Sequence, residues 1–71
     1  MPKLPRVSGA EIIRALERLG FTELRQSGSH VIMRRASKGC VVPMHNEVKV
    51  GTLAGLLRQA EVSHDDFTRS L

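Results

Sequence analysis

The segment TELRQSGSHVIMRRASKGCVVP, residues 22–43, determines the fold of this chain. Small turn residues interrupt it twice, which predicts three short strands joined by tight turns. The predicted strands run from Thr22 to Gln26, from His30 to about Arg35, and from Cys40 to Met44. Gly39 is expected to supply a positive φ in the second turn. Because Pro43 cannot donate to a ladder, the third strand should be an edge strand or should end there.

Side-chain alternation divides the middle strand between two faces of the predicted sheet. One face carries His30, Ile32 and Arg34, and the other carries Val31, Met33 and Arg35. The second set is the more typical of a core. Ile32 would then lie beside His30 on the open face, unless a bulge or an offset strand start moves it; the sequence leaves this question open.

Helical patterns flank the three strands. Ser8 and Glu11 form a capping-box pair, and Gly20 is a left-handed C-cap. A second helix is expected from about Val50 to Ala60, followed by a short helix capped by Ser63. The predicted order, α-β-β-β-α with a short C-terminal helix, is a two-layer α+β fold with the topology of double-stranded-RNA-binding domains.

Length and composition limit the possibilities further. The 71 residues suffice for one domain, 1–71, in which residues 1–7 form an extended lead-in. Eleven Lys and Arg residues against seven Asp and Glu favour a polyanionic partner such as nucleic acid, although an ordinary basic surface fits equally well. The single cysteine, Cys40, fits a reducing compartment and a buried, inert thiol. Neither a membrane span nor a signal segment is recognisable, so we expect a cytoplasmic protein.

The sequence offers few candidates for chemistry. Its histidines, His30, His45 and His64, are far apart, and neither a paired-cysteine motif nor a carboxylate cluster occurs, so we expect no metal site and no cofactor. Metal-free acid–base chemistry on RNA remains, since the 2′-hydroxyl is a built-in nucleophile and histidine titrates near neutrality. From the residues alone, however, His30 at a strand start is more often a solvated side chain than a catalyst. His45 is a weaker second acid–base candidate, and His64 reads as a surface residue.

Several short motifs occur together in an order typical of one family. The matching pieces are Leu19-Gly20-Phe21, Arg25 to His30 with its Gly-Ser-His, Val42-Pro43-Met44-His45, Lys49 to Ala60, and Ser63 to Phe67. In this arrangement the chain resembles the HicA toxins, also called YcfA-type, of bacterial toxin–antitoxin pairs. It departs from the family in having Val50 where proline is frequent, and in lacking the family's frequent Asp-Gly in the second turn.

The resemblance implies a double-stranded-RNA-binding-like fold and an endoribonuclease that cleaves mRNA. It implies that His30 is catalytic and that a HicB-type antitoxin inhibits the toxin. Our hypothesis for the RNA contacts comprises Arg25, Ser29, Arg34, Arg35, Lys38 and His45. Two alternatives stay open: a non-catalytic RNA-binding module of the same fold, and a protein-interaction domain shaped by its antitoxin.

Overall fold

The structure is a computed structural model that describes residues 4–71. Its elements are α1 (Gly9–Arg18), β1 (Thr22–Ser27), β2 (His30–Arg35), β3 (Lys38–Pro43), α2 (Val50–Ala60) and α3 (His64–Arg69). The predicted α+β order, with the topology of double-stranded-RNA-binding domains, is confirmed. The predicted lead-in begins with residues 1–3, which lie outside the described residues. Its last residue, Val7, is buried and forms an isolated antiparallel bridge with Val48.

The three strands form one antiparallel sheet in the order β1-β2-β3. β2 is therefore central, and β3 is an edge strand that ends at Pro43, as predicted. His30 at the start of β2 lies opposite Pro43, and Arg35 at its other end lies opposite Lys38. The strand register thus places His30 at one end of the sheet and the second hairpin turn at the other.

The second turn differs from the sequence prediction. β3 begins at Lys38, so only Ala36 and Ser37 connect it to β2, and the positive φ of 53° belongs to Ala36 and not to Gly39. A two-residue hairpin turn requires a positive φ within the connection itself, and Gly39 is already past it. Gly39 lies inside β3, where a Cβ would be 3.1 Å from the Met33 carbonyl oxygen.

The helices cover one side of the sheet. Val31 and Met33 are only 1 % and 0 % exposed and belong to a single buried cluster with residues of all three helices, which confirms their assignment to the core. Ile32 remains on the opposite, open side and is half-buried. A bulge does occur, but it lies in β1 between Glu23 and Arg25 and leaves Ile32 on the open side.

The helix ends follow the sequence signals closely, with one exception. Ser8 accepts from the Glu11 backbone at 3.1 Å, and the Glu11 carboxylate accepts from the Ser8 backbone at 2.9 Å, completing the predicted capping box. Gly20 has a φ of 98° and closes α1, as predicted. At α2, by contrast, the N-cap is Lys49, which makes no side-chain capping bond within residues 4–71.

In that same range no helix has the length and apolarity needed to cross a bilayer.

Candidate functional site

A tight turn positions His30 at the end of the sheet. Gly28 and Ser29 are the only residues between β1 and β2, and Gly28 has a φ of 60°, a conformation that favours glycine. The turn pairs Ser27 with His30. The imidazole of His30 therefore extends from the first residue of a central strand, on the open side, and is exposed.

Backbone hydrogen bonds hold the segment after β3 beside this turn. The Met44 amide donates to the Ser29 carbonyl oxygen at 2.6 Å, and the Gly9 amide donates to the His45 carbonyl oxygen at 2.9 Å. A Cβ on Gly9 would overlap the Pro43 carbonyl oxygen and lie 2.9 Å from Met44 Cα. Glycine, which has no Cβ, lets the start of α1 pack directly on the backbone of residues 43–45, the segment that carries His45.

His30 and His45 line the same open groove, which has a volume of about 460 Å³. We call it the histidine groove. Lys49 and Thr52 line it from the start of α2, and Glu47 contributes a carboxylate. The structure thus brings together the two histidines that the sequence proposed as acid–base candidates, although they are separated along the chain by two strands.

The groove lining carries one charged side chain of each sign, Lys49 and Glu47, together with the two imidazoles. The Glu47 carboxylate is 3.7 Å from Arg6, an exposed ion pair that partly neutralises it. The Lys49 side chain is exposed, and the first turn of α2 has no acidic residue to offset the positive end of the helix dipole. A phosphodiester in this groove would meet a cationic side chain and two imidazoles.

Arg25 and Arg34 lie on the open side of the sheet with His30. Arg25 is opposite Ile32 on the neighbouring strand, and Arg34 shares the side-chain alternation of His30. The Arg34 guanidinium donates to the Ala36 carbonyl oxygen at 2.8 Å and remains exposed. Both arginines therefore present positive charge to the side of the sheet that the helices leave uncovered.

Arg35 and Lys38 occupy a different part of the molecule. The Arg35 guanidinium lies 4.7 Å from the centre of the Phe21 ring and donates to the Leu19 carbonyl oxygen at 2.6 Å. Lys38 forms an ion pair with Glu61 at the end of α2. Both residues lie at the end of the sheet opposite to His30. Five steps of extended strand separate Arg35 from His30, a distance of about 17 Å. The geometry does not bring them together with the histidine groove.

A second concavity, of about 550 Å³, lies on the open side of the sheet. Leu24, Ile32 and Val41 form its apolar wall, and Arg34 lines its edge. Val41 also lines the histidine groove, so the two depressions adjoin one another. This explains the position of Ile32 beside His30: it belongs to an apolar patch on the open side.

Sequence reasoning missed the roles of Lys49, Thr52 and Gly9. Lys49 and Thr52 were recognised only as part of a helix, because their position in the groove depends on how α2 packs against β3. Gly9 was given no role in the sequence analysis. One signal was available, since glycine is a poor helix former and its presence at the start of a well-capped helix suggests close packing.

Cys40 is not part of the site. The residue is 4 % exposed, and burial raises the pKa of its thiol to about 11. The expectation of a buried cysteine is confirmed, and the raised pKa disfavours the reactive thiolate form. Across residues 4–71, no three His, Cys, Asp or Glu side chains are grouped as a metal site would require.

Fold and site together define a class of small basic domains with double-stranded-RNA-binding topology and exposed histidines beside cationic side chains. A family model described as the HicA toxin of bacterial toxin–antitoxin matches residues 9–62, three quarters of the chain. The chain belongs to the HicA toxin family, and membership implies an antitoxin partner. The matched range includes both histidines of the groove. No curated protein matches the sequence.

Proposed function

We propose that this toxin is a metal-independent endoribonuclease that cleaves mRNA in the cytoplasm, with His30 as a catalytic residue. The observation that carries the proposal is the position of His30, exposed in a groove beside Lys49, in a chain that belongs to a toxin family. An open groove suits a polymeric substrate, because a strand of RNA can lie across it without being enclosed.

The chemistry requires little beyond proton transfer and charge neutralisation. The RNA 2′-hydroxyl attacks the adjacent phosphorus, the bond to the 5′-oxygen breaks, and a 2′,3′-cyclic phosphate and a 5′-hydroxyl result. Histidine is suited to take or give the protons near neutral pH, and such catalysis typically contributes about 10²–10⁴-fold. Cationic side chains stabilise the charge on the phosphorane.

Phosphate binding is assigned by position. Lys49 lines the groove itself, and Arg25 and Arg34 extend the positive charge along the open side. We propose that Ser29, which is exposed in the turn before His30, donates its hydroxyl to RNA. We leave Arg35 and Lys38 out of the proposed set, because their charged groups bind Phe21 and Glu61 at the far end of the strands.

We propose a HicB-type protein as the antitoxin, acting by covering His30. A partner that competes with RNA for Lys49 and the arginines of the open side should present an acidic surface, because complementary charge favours specific and rapid association. Purified antitoxin is expected to abolish cleavage and to protect the His30 ring from modification by diethyl pyrocarbonate. A complex in which His30 is modified as fast as in the free toxin would contradict this mode of inhibition.

The proposed activity is tested by replacing His30 with alanine. We expect H30A to fold normally and to lose at least about 100-fold in cleavage rate, the lower range for acid–base catalysis. H64A is the matched control, since His64 is exposed at the start of α3 and should cleave like the wild type. EDTA should leave the wild-type rate unchanged, and the products should carry cyclic phosphate ends.

The alternative is a non-catalytic RNA-binding module with the same fold. The basic open side of the sheet favours it, because Arg25 and Arg34 would bind a phosphate backbone whether or not cleavage follows. Binding of RNA by the purified wild type without any cleavage would support this alternative and exclude the proposed activity. Cleavage that survives in folded H30A would exclude His30 as a catalytic residue.

A further inference from the structure

The histidine groove contains a second imidazole, and a single catalytic histidine leaves it unexplained. We infer that His45 is a second catalytic residue of the proposed cleavage, and that His30 and His45 divide its two proton transfers. This inference rests on the proposed function and names the group that completes it.

The register of the strands supports the pairing. His30 lies opposite Pro43, and His45 is two residues further along the chain. One further hydrogen bond between the two segments follows Pro43, from the Met44 amide to the Ser29 carbonyl oxygen at 2.6 Å. Two residues span at most about 7 Å, and both histidines line one groove, so one phosphodiester can lie between them.

The reaction needs two groups because its two proton transfers occur on opposite sides of phosphorus. As the new bond to the 2′-oxygen forms, one imidazole accepts the 2′-hydroxyl proton. As the bond to the 5′-oxygen breaks, the other imidazole, already protonated, donates its proton to that oxygen. One ring gains a proton and the other loses one, and exchange with water restores both.

The remaining charged groups of the groove have other tasks. Lys49 supplies positive charge to the phosphate, and Glu47 is paired with Arg6. The structure gives His45 a backbone role, the 2.9 Å bond from the Gly9 amide to its carbonyl oxygen. Replacement of the imidazole leaves that carbonyl in place, so the fold should tolerate the change.

The test compares H30A, H45A and H64A in single-turnover cleavage of an RNA oligonucleotide that the wild type cuts. We expect H45A to lose at least about 100-fold, as H30A does, while H64A retains the wild-type rate. Each variant is then given the same oligonucleotide with sulfur in place of the bridging 5′-oxygen. A thiolate leaves without being protonated, so this substrate should restore the variant that lacks the general acid and leave the other variant inactive.

Two results would overturn the inference. The first is an H45A that retains a rate within about 3-fold of the wild type, because a proton-transfer group contributes more than that. The second is an H45A whose loss of rate is matched by an equal rise in Kd for RNA and is not restored by sulfur, which would make His45 a binding residue. If H30A is inactive in either case, the proposed function stands and only this inference fails. If H30A cleaves like the wild type, the proposed function itself fails.

Discussion

Val31 and Met33 on one side of β2 are at most 1 % exposed, whereas His30 and Arg34 on the other side of the same strand are exposed. Successive residues of a strand point to opposite sides, so a six-residue element serves both the core and the open side. The helix-facing side holds the fold together, and the open side presents the proposed chemistry. Substitutions on the two sides should therefore affect different measurements.

The largest effect is expected where the helical layer supports the site. G9A places a methyl group against the Pro43 carbonyl oxygen and Met44 Cα, which are backbone atoms that cannot turn aside. Overpacking of this kind should lower the free energy of unfolding by about 3 kcal/mol and also slow cleavage, because it displaces the segment that carries His45. Urea unfolding and the cleavage assay check both effects.

G55A is the matched control for G9A. Gly55 lies within α2, and apart from its chain neighbours and the backbone of its own helix, no atom in the described part of the chain comes within 4 Å of a Cβ added there. Alanine in the middle of a helix should raise the free energy of unfolding by about 0.5–1 kcal/mol, with cleavage unchanged. Equal behaviour of G9A and G55A would refute the close packing at Gly9.

The second effect is a dependence of stability on pH, caused by the thiol of Cys40, which is buried on the helix-facing side of the sheet. Burial raises the pKa of Cys40 from 9.0 to about 11, so the unfolded chain releases this proton at lower pH than the folded chain. The contribution to stability is complete below pH 9 and should decline by about 2 kcal/mol as the pH rises to 11. Denaturant unfolding at several pH values should show this decline in the wild type.

C40A removes the thiol and serves as the reference for its titration. The stability of C40A should fall less steeply between pH 9 and pH 11 than that of the wild type, since every other titrating group is shared. Only the slopes are compared, because the smaller side chain also changes packing at all pH values. Parallel slopes in the two proteins would show that Cys40 is not buried as described.

The smallest effect is the difference expected between substitutions of Arg34 and Arg35, neighbours on opposite sides of β2. R35A should lower the free energy of unfolding by about 1 kcal/mol, because the guanidinium stacks on Phe21 and binds the Leu19 carbonyl. R34A should leave stability nearly unchanged and reduce the salt dependence of RNA binding by about one phosphate contact. Binding titrations at several salt concentrations measure this, and a reduced slope in R35A instead would reverse the assignment.

The sequence predicted the elements and the two sides of β2, because both depend on local signals. The capping box at Ser8, the turn at Gly28 and the alternation that exposes His30 are all properties of a few consecutive residues. The second turn was misplaced because its φ is set by the strand register, which brings Arg35 opposite Lys38 and leaves Ala36 to make the turn.

The composition of the site was less predictable than the fold. His30 and His45 were each recognised from the sequence, but their common groove depends on backbone bonds from Met44 to Ser29 and from Gly9 to His45. Those contacts join segments that are distant along the chain. Lys38 was included among the hypothesised RNA contacts, and only the packing of α2 shows that Glu61 pairs with it.

The two sides of β2 divide the proposed catalysis, on the open side, from stability, on the helix-facing side. The most direct measurement compares H30A with V31A, adjacent residues on opposite sides, in both the cleavage assay and urea unfolding. We predict that H30A loses at least about 100-fold in rate with wild-type stability, and that V31A loses about 2 kcal/mol of stability while its folded molecules cleave normally. A fully active H30A, or an H30A whose lost activity merely follows lost stability, would contradict this division between the two sides of β2.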